Sequence, residues 1–176
     1  CSSPRDAYNE QDISTLAEAL GITDRELDPI GITMHYTAGS TIKSSIVELA
    51  LEHKAYHYII DRDGSITNLA PPDKVVIHDP ATNNTHIGIS FANLGYQEAI
   101  AGRGGSPPIE DWIVGPDPRN HKIKKWEPFT SAQISAAKNL VRELKSKFPK
   151  IKEVTTHSHT APGRKPDPGP AFDPYL

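Results

Sequence analysis

The chain has 176 residues, 36% of them hydrophobic, and 19 Lys+Arg against 22 Asp+Glu for a formal charge of −3; this suits one folded domain and excludes wholesale disorder. No run approaches the roughly 18 apolar residues of a membrane-crossing helix, and the slight negative charge offers no field to gather nucleic acid, so neither a transmembrane segment nor a nucleic-acid partner is expected. The single cysteine, Cys1, rules out an intrachain disulfide and a thiolate-rich zinc site, so any metal would rest on histidines and carboxylates.

Residues 1–11 lack periodicity and are expected to form a flexible arm, leaving 12–176 as the domain. Cys1 followed by Ser2 and Ser3 looks like the mature end of a bacterial lipoprotein with its lipid on the cysteine; a boundary left by trimming is the other reading. Ile13, Leu16, Ala17 and Leu20 fall at helical spacing up to Gly21. Ile30 to Tyr36 is a β-rich run, and Ile42, Ile46, Leu49 and Ala50 then predict a helix up to His53. Tyr56 to Ile60 and Ser65 to Leu69 flank Asp61-Arg62-Asp63-Gly64, whose Asp-Gly step suits a hairpin. Lys74 to Ile77 and Thr85 to Leu94 are further strands, the second alternating Ile87, Ile89 and Phe91 with Gly88, Ser90 and Ala92.

Prolines and glycines between Gly95 and Phe129 predict mostly a long loop. Thr130 and Gln133 then read as a capping box before a stripe of Ile134, Ala137, Val141, Leu144 and Phe148, ended by Pro149. The opposite face, with Lys138, Arg142, Lys145 and Lys147, reads as solvated surface. Ile151 to Thr156 is a last strand before a proline-rich, extended tail. The alternation of strands and helices predicts an α/β single domain, a mixed central β-sheet flanked by helices.

Among eight histidines, His35 and His157 stand at strand ends, where rigid backbone aims side chains into clefts. Asp167 follows His157 across a stiff Pro-Gly loop and is a candidate third ligand; two imidazoles and a carboxylate leave one tetrahedral corner open for hydrolytic chemistry. From spacing alone, a lone strand-end histidine is more often a hydrogen-bonded structural residue than a ligand.

Longer strings decide between these. His157-Ser158-His159-Thr160-Ala161-Pro162-Gly163-Arg164-Lys165-Pro166-Asp167 and the residues on to Asp173 resemble the C-terminal signature of zinc-dependent N-acetylmuramoyl-L-alanine amidases of the amidase-2 family, which includes phage amidase-type lysozymes and peptidoglycan recognition proteins. Tyr56 to Gly64, Asn83 to Phe91 and the His35 strand resemble its other landmarks, in the same order. The resemblance implies a peptidoglycan-recognition-like α/β fold and one zinc ion on His35, His157 and Asp167. It implies that Lys165 holds the developing oxyanion, and that Tyr56 orients or relays a proton unless it is merely a packing aromatic. His78, Asn93 and Arg164 are implied as substrate-binding residues, His86 as structural, and His159 as a ligand's outer partner or an occasional proton carrier.

The chain departs from part of the family at Ser90, where some members carry the glutamate general base; Asp63, Glu98 and Glu110 are the remaining carboxylates whose loops could bring one in. The implied activity is cleavage of the bond between N-acetylmuramic acid and L-alanine, with peptidoglycan or muropeptide as partner, by a monomer in the cell envelope (periplasm or outer-membrane lipoprotein) or secreted. The alternative is a module that grips muramyl peptide without cutting it. A two-metal phosphoesterase would need clustered carboxylates that these motifs do not supply.

Overall fold

Short β-branched and aromatic runs, buried along β2, β3 and β6, form the centre of a mixed sheet in a computed structural model that describes residues 17–100 and 109–172. The strands are β1 (Thr23–Asp24), β2 (Gly31–Tyr36), β3 (Tyr58–Ile60), β4 (Ile66–Asn68), β5 (Lys74–Val75), β6 (His86–Phe91), β7 (Ile113–Pro116), β8 (Ile123–Trp126) and β9 (Glu153–Thr156). The helices are α1 (Ile42–Leu51), α2 (Ser131–Lys147) and the one-turn α3 (His157–Thr160). The central sheet runs β4-β3-β6-β2-β9. β3, β6, β2 and β9 are parallel to their neighbours and β4 is antiparallel to β3, so four carboxyl ends share one edge.

One face of the sheet is apolar. Ile32, Met34, Tyr58, Ile60, Ile87, Ile89 and Phe91 pack against Ala137, Leu140, Val141, Leu144 and Phe148 of α2 and its exit, the helix predicted from its periodicity with Leu140 added to the stripe. The capping box is present: Thr130 Oγ1 accepts from Gln133 N, and Gln133 Oε1 accepts from Thr130 N, both at 3.1 Å. Lys138, Arg142, Lys145 and Lys147 are exposed, as a solvated face should be.

The other face carries buried polar and small residues: Thr33 and His35 from β2, His86, Gly88 and Ser90 from β6, and His57 beside them. Two glycines make room for rings here. A Cβ on Gly31 would lie 2.3 Å from the His86 ring, and one on Gly88 would lie 2.8 Å from that of His78. A smaller apolar cluster of Leu20, Ala55, Ala70 and Val76, with Leu49 and Ala50 of α1, seals this side.

Three expectations need correction or limits. Within residues 95–129, expected to be mostly loop, β7 and β8 form a hairpin that was not anticipated, with Trp126 Nε1 donating to Gly115 O at 3.0 Å. Pro116 and Pro118 disguised it, since the turn is built by buried Asp117, which accepts from Arg119 N, and by His121 at φ 61°. The strand expected over Lys74 to Ile77 is β5, which pairs with β1 outside the central sheet. The arm over 1–11, the Cys1 reading and most of the helix expected over Ile13 to Leu20 lie outside the described residues, of which 17–19 are helical. No helix among the described residues is long and apolar enough to cross a membrane.

Candidate metal centre

Strand register brings His35 and His157 together. β2 and β9 pair with Met34 opposite Thr156, so the next residue on each side is a histidine at the carboxyl edge of the sheet, where open α/β sheets place their sites. Alternation turns His35 away from the face that holds Ile32 and Met34. Thr156 caps α3 by accepting from His159 N at 3.3 Å, which turns the chain immediately after the strand. The loop then folds back, and Ser158 N donates to the Asp167 carbonyl at 2.8 Å, which fixes that carboxylate beside the imidazoles.

His35 Nδ1 and His157 Nδ1 are 3.1 Å apart, and each lies 3.0 Å from Asp167 Oδ2. All three residues are buried, and among the described residues they are the one cluster of three or more His, Cys, Asp or Glu that could hold a metal ion. The donor set fits zinc: a tetrahedral ion with bonds of roughly 2.0–2.1 Å separates its ligand atoms by about 3.3 Å, close to this triangle. Burial works against ionising Asp167, yet hydrogen bonds from His157 and His35 hold its carboxyl well below the usual carboxylate range. Burial also holds His35 below the usual histidine range against the pull of Asp167. A neutral imidazole and an ionised carboxylate are the protonation states that bind a metal.

Outside the triangle, His35 has a hydrogen-bond partner and His157 has a carboxylate nearby but beyond hydrogen-bond distance. His35 Nε2 lies 3.0 Å from His78 Nδ1, and His78 Nε2 lies 3.3 Å from the His86 carbonyl. His157 Nε2 lies 3.8 Å from Asp79 Oδ1. Asp79 is fully buried and accepts from Thr82 Oγ1 at 2.8 Å and Thr160 Oγ1 at 2.6 Å. Neither Asp79 nor Thr160 stood out in the sequence, because only the fold brings these residues, 81 positions apart, into contact.

The triangle lies at the wall of a cleft of about 410 Å³, lined also by Tyr36, Tyr56, His78, Tyr96, Arg164 and Lys165. The Tyr56 ring centroid is 4.9 Å from that of His35. Burial, and then the Asp167 charge, pushes the Tyr56 phenol well above its usual range, so it keeps its proton. Of the residues expected at the site, Lys165, Tyr56, Arg164 and His78 come to this cleft. His78 is buried, however, and both its ring nitrogens face protein atoms. Asn93 is a correction: it is 1% exposed, its Nδ2 donates to the Glu127 carbonyl and its Oδ1 accepts from Gly95 N, so its amide is spent on the loop after β6. His86 bonds Glu153 and Thr85 and is structural; His159 is exposed.

Ser90 is fully buried, and Asp63, Glu98 and Glu110 do not line the cleft. Besides Asp167, the carboxylates that do are Glu48 of α1 and Glu52, the residue that caps its C-terminus, beside Lys54. Their spacing of four across the end of the predicted helix was the available signal.

The chain is 27% identical over 157 residues to the N-acetylmuramoyl-L-alanine amidase AmiD of Escherichia coli, covering 80% of this chain and 49% of that protein. It is 30% identical over 127 residues to the 1,6-anhydro-N-acetylmuramyl-L-alanine amidase AmpD of Salmonella typhimurium, covering 72% and 56% respectively. The chain therefore spans about half the length of these relatives. Among solved structures, a complex of E. coli AmiD with the substrate anhydro-N-acetylmuramic acid-L-Ala-D-gamma-Glu-L-Lys superimposes with a TM-score of 0.65 at 26% identity, over 87% of this chain and 63% of that one. Residues 25–170 match the amidase-2 family, described as N-acetylmuramoyl-L-alanine amidase, and the chain belongs to that family.

Proposed function

We propose that the chain hydrolyses the amide between N-acetylmuramic acid and L-alanine in peptidoglycan or muropeptides, with one zinc ion held by His35, His157 and Asp167. The observation that carries this reading is the convergence of His35 Nδ1, His157 Nδ1 and Asp167 Oδ2 within 3.1 Å of one another beside an open cleft. The relatives named for this reaction, and the AmiD complex with a muramyl peptide, support the substrate class.

When bound, zinc supplies Lewis acidity that polarises a carbonyl and acidifies a water molecule. The chain supplies the rest. Lys165 offers an ammonium to the carbonyl oxygen as negative charge develops there, an interaction worth a few kcal/mol in a site shielded from water. Tyr56, which keeps its proton, donates a hydrogen bond and orients the attacking or leaving group rather than acting as a base. Arg164, exposed at the cleft rim, is placed to meet a substrate carboxylate. A peptidoglycan substrate puts the enzyme in the cell envelope or outside the cell.

The absence of a carboxylate at Ser90 favours a second reading, a module that binds muramyl peptide without cleaving it. One assay separates the two. Zinc-loaded protein is incubated with a muramyl tripeptide, and the free amino terminus of L-alanine is followed with time, with His35→Ala as control. Release by the wild type alone supports hydrolysis; saturable binding without release supports the module.

A further inference from the structure

The imidazole of His78 lies between His35 and a backbone carbonyl, and the positions of its two nitrogens constrain protons elsewhere. The His86 carbonyl accepts only, and it faces His78 Nε2 at 3.3 Å. His78 Nδ1 faces His35 Nε2 at 3.0 Å. His35 Nδ1 faces Asp167 Oδ2 at 3.0 Å. This row begins and ends on an oxygen acceptor and contains two imidazoles. Two neutral imidazoles bring two protons to three contacts, so one contact must go without. A cation shared by His35 Nδ1 and Asp167 Oδ2 removes the conflict, because both protons then fill the other two contacts. His78 Nε2–H donates to the His86 carbonyl, His35 Nε2–H donates to His78 Nδ1, and the lone pair on His35 Nδ1 is presented to the metal.

We propose that His78 is the positioning residue of the metal centre: its Nδ1 accepts the Nε2 proton of His35 and so fixes the tautomer and ring orientation in which His35 ligates. The inference rests on the zinc reading above and replaces the substrate contact expected of His78. The fold supports the role. His78 is 8% exposed and packs edge-on to His35 with ring centroids 5.2 Å apart. The missing side chain of Gly88 makes room for its ring, and Asn83 Oδ1 accepts from its backbone N–H at 2.8 Å. With its ring bonded to the His86 carbonyl and its backbone to Asn83, His78 can impose orientation on its neighbour. Outer partners of ligating histidines are typically worth 10- to 100-fold in metal affinity.

The test uses full-length protein and zinc alone. Chelator competition gives the zinc Kd of wild type, His78→Leu, which removes the acceptor, and His78→Asn, whose Oδ1 can accept near the place of Nδ1. The proposal expects Kd to rise about 10- to 100-fold in His78→Leu and to return to within a few-fold of wild type in His78→Asn. It also expects nitrogen-15 NMR of the zinc-loaded wild type to place the His78 proton on Nε2 and none on Nδ1. A folded His78→Leu that binds zinc as wild type does, a folded His78→Asn as weak as His78→Leu, or a proton on His78 Nδ1 would each overturn it. If His78→Leu does not fold, the other two measurements decide. Wild-type protein that binds no zinc refutes the zinc reading itself, whereas wild-type binding with no effect at position 78 refutes this inference alone.

Discussion

The two faces of the central sheet are built on opposite chemistry. Toward α2, Ile32, Met34, Ile87, Ile89 and Phe91 are fully buried among other hydrocarbon groups, and the stabilisation there is non-directional and scales with apolar area. Toward the cleft, the same two strands bury His35, His86, Thr33 and Ser90, where each polar atom carries a desolvation cost unless a partner meets it at the right angle. One pair of strands therefore separates stability from chemistry largely by alternation: in β2, Thr33 and His35 point to the polar face and Ile32 and Met34 to the core. Substitutions on the two faces should consequently fail in different ways.

The largest effect is expected on the polar face. His35→Ala should reduce zinc affinity by more than the roughly 100-fold that an outer partner is worth and abolish amide cleavage, while circular dichroism of the metal-free protein stays native. On the apolar face, Ile87→Ala should cost about 2–5 kcal/mol in urea unfolding and leave the zinc Kd of the folded protein unchanged. Coincident loss of both properties in either variant would break the comparison.

Acid should sharpen it. Burial pushes the His57 imidazole down from its ordinary 6.5 to about 4, and its Nδ1 accepts from Gly88 N at 2.9 Å. Because the folded value lies below the unfolded one, this contribution is complete above pH 6.5 and declines as the pH falls. The decline ends once the pH passes about 4. The metal-free protein should lose on the order of 3 kcal/mol across that window from His57. Urea midpoints at pH 7 and pH 4 should show the drop, reduced in His57→Asn; a flat profile would contradict it. The smallest effect belongs to the apolar side: Thr130→Ala removes the N-cap of α2 and should cost about 1 kcal/mol, without change in zinc binding.

What could be read from the chain divides along the same line. The apolar face is written in local periodicity, so Ile87, Ile89 and Phe91 and the Thr130–Gln133 capping box were legible directly. The polar face depends on register between distant segments. His35 and His157 are 122 positions apart, and they stand side by side because Met34 pairs with Thr156, which no spacing reveals; their partnership was readable only through resemblance to a family. The contact between Thr160 and Asp79 beside His157 had no local signature at all. Asn93 misled because a polar residue after a strand at the cleft edge looks available, whereas its amide serves the loop to Gly95. The β7–β8 hairpin was hidden by Pro116 and Pro118, which are compatible with a two-stranded ribbon whose turn Asp117 organises.

The central claim is that His35, His157 and Asp167 bind one ion. Anomalous diffraction from zinc-soaked crystals, recorded on both sides of the zinc absorption edge, tests it directly. The account predicts a single edge-dependent peak within bonding distance of His35 Nδ1, His157 Nδ1 and Asp167 Oδ2. No peak there, or an ion bound through the Nε2 atom of His35, would contradict it.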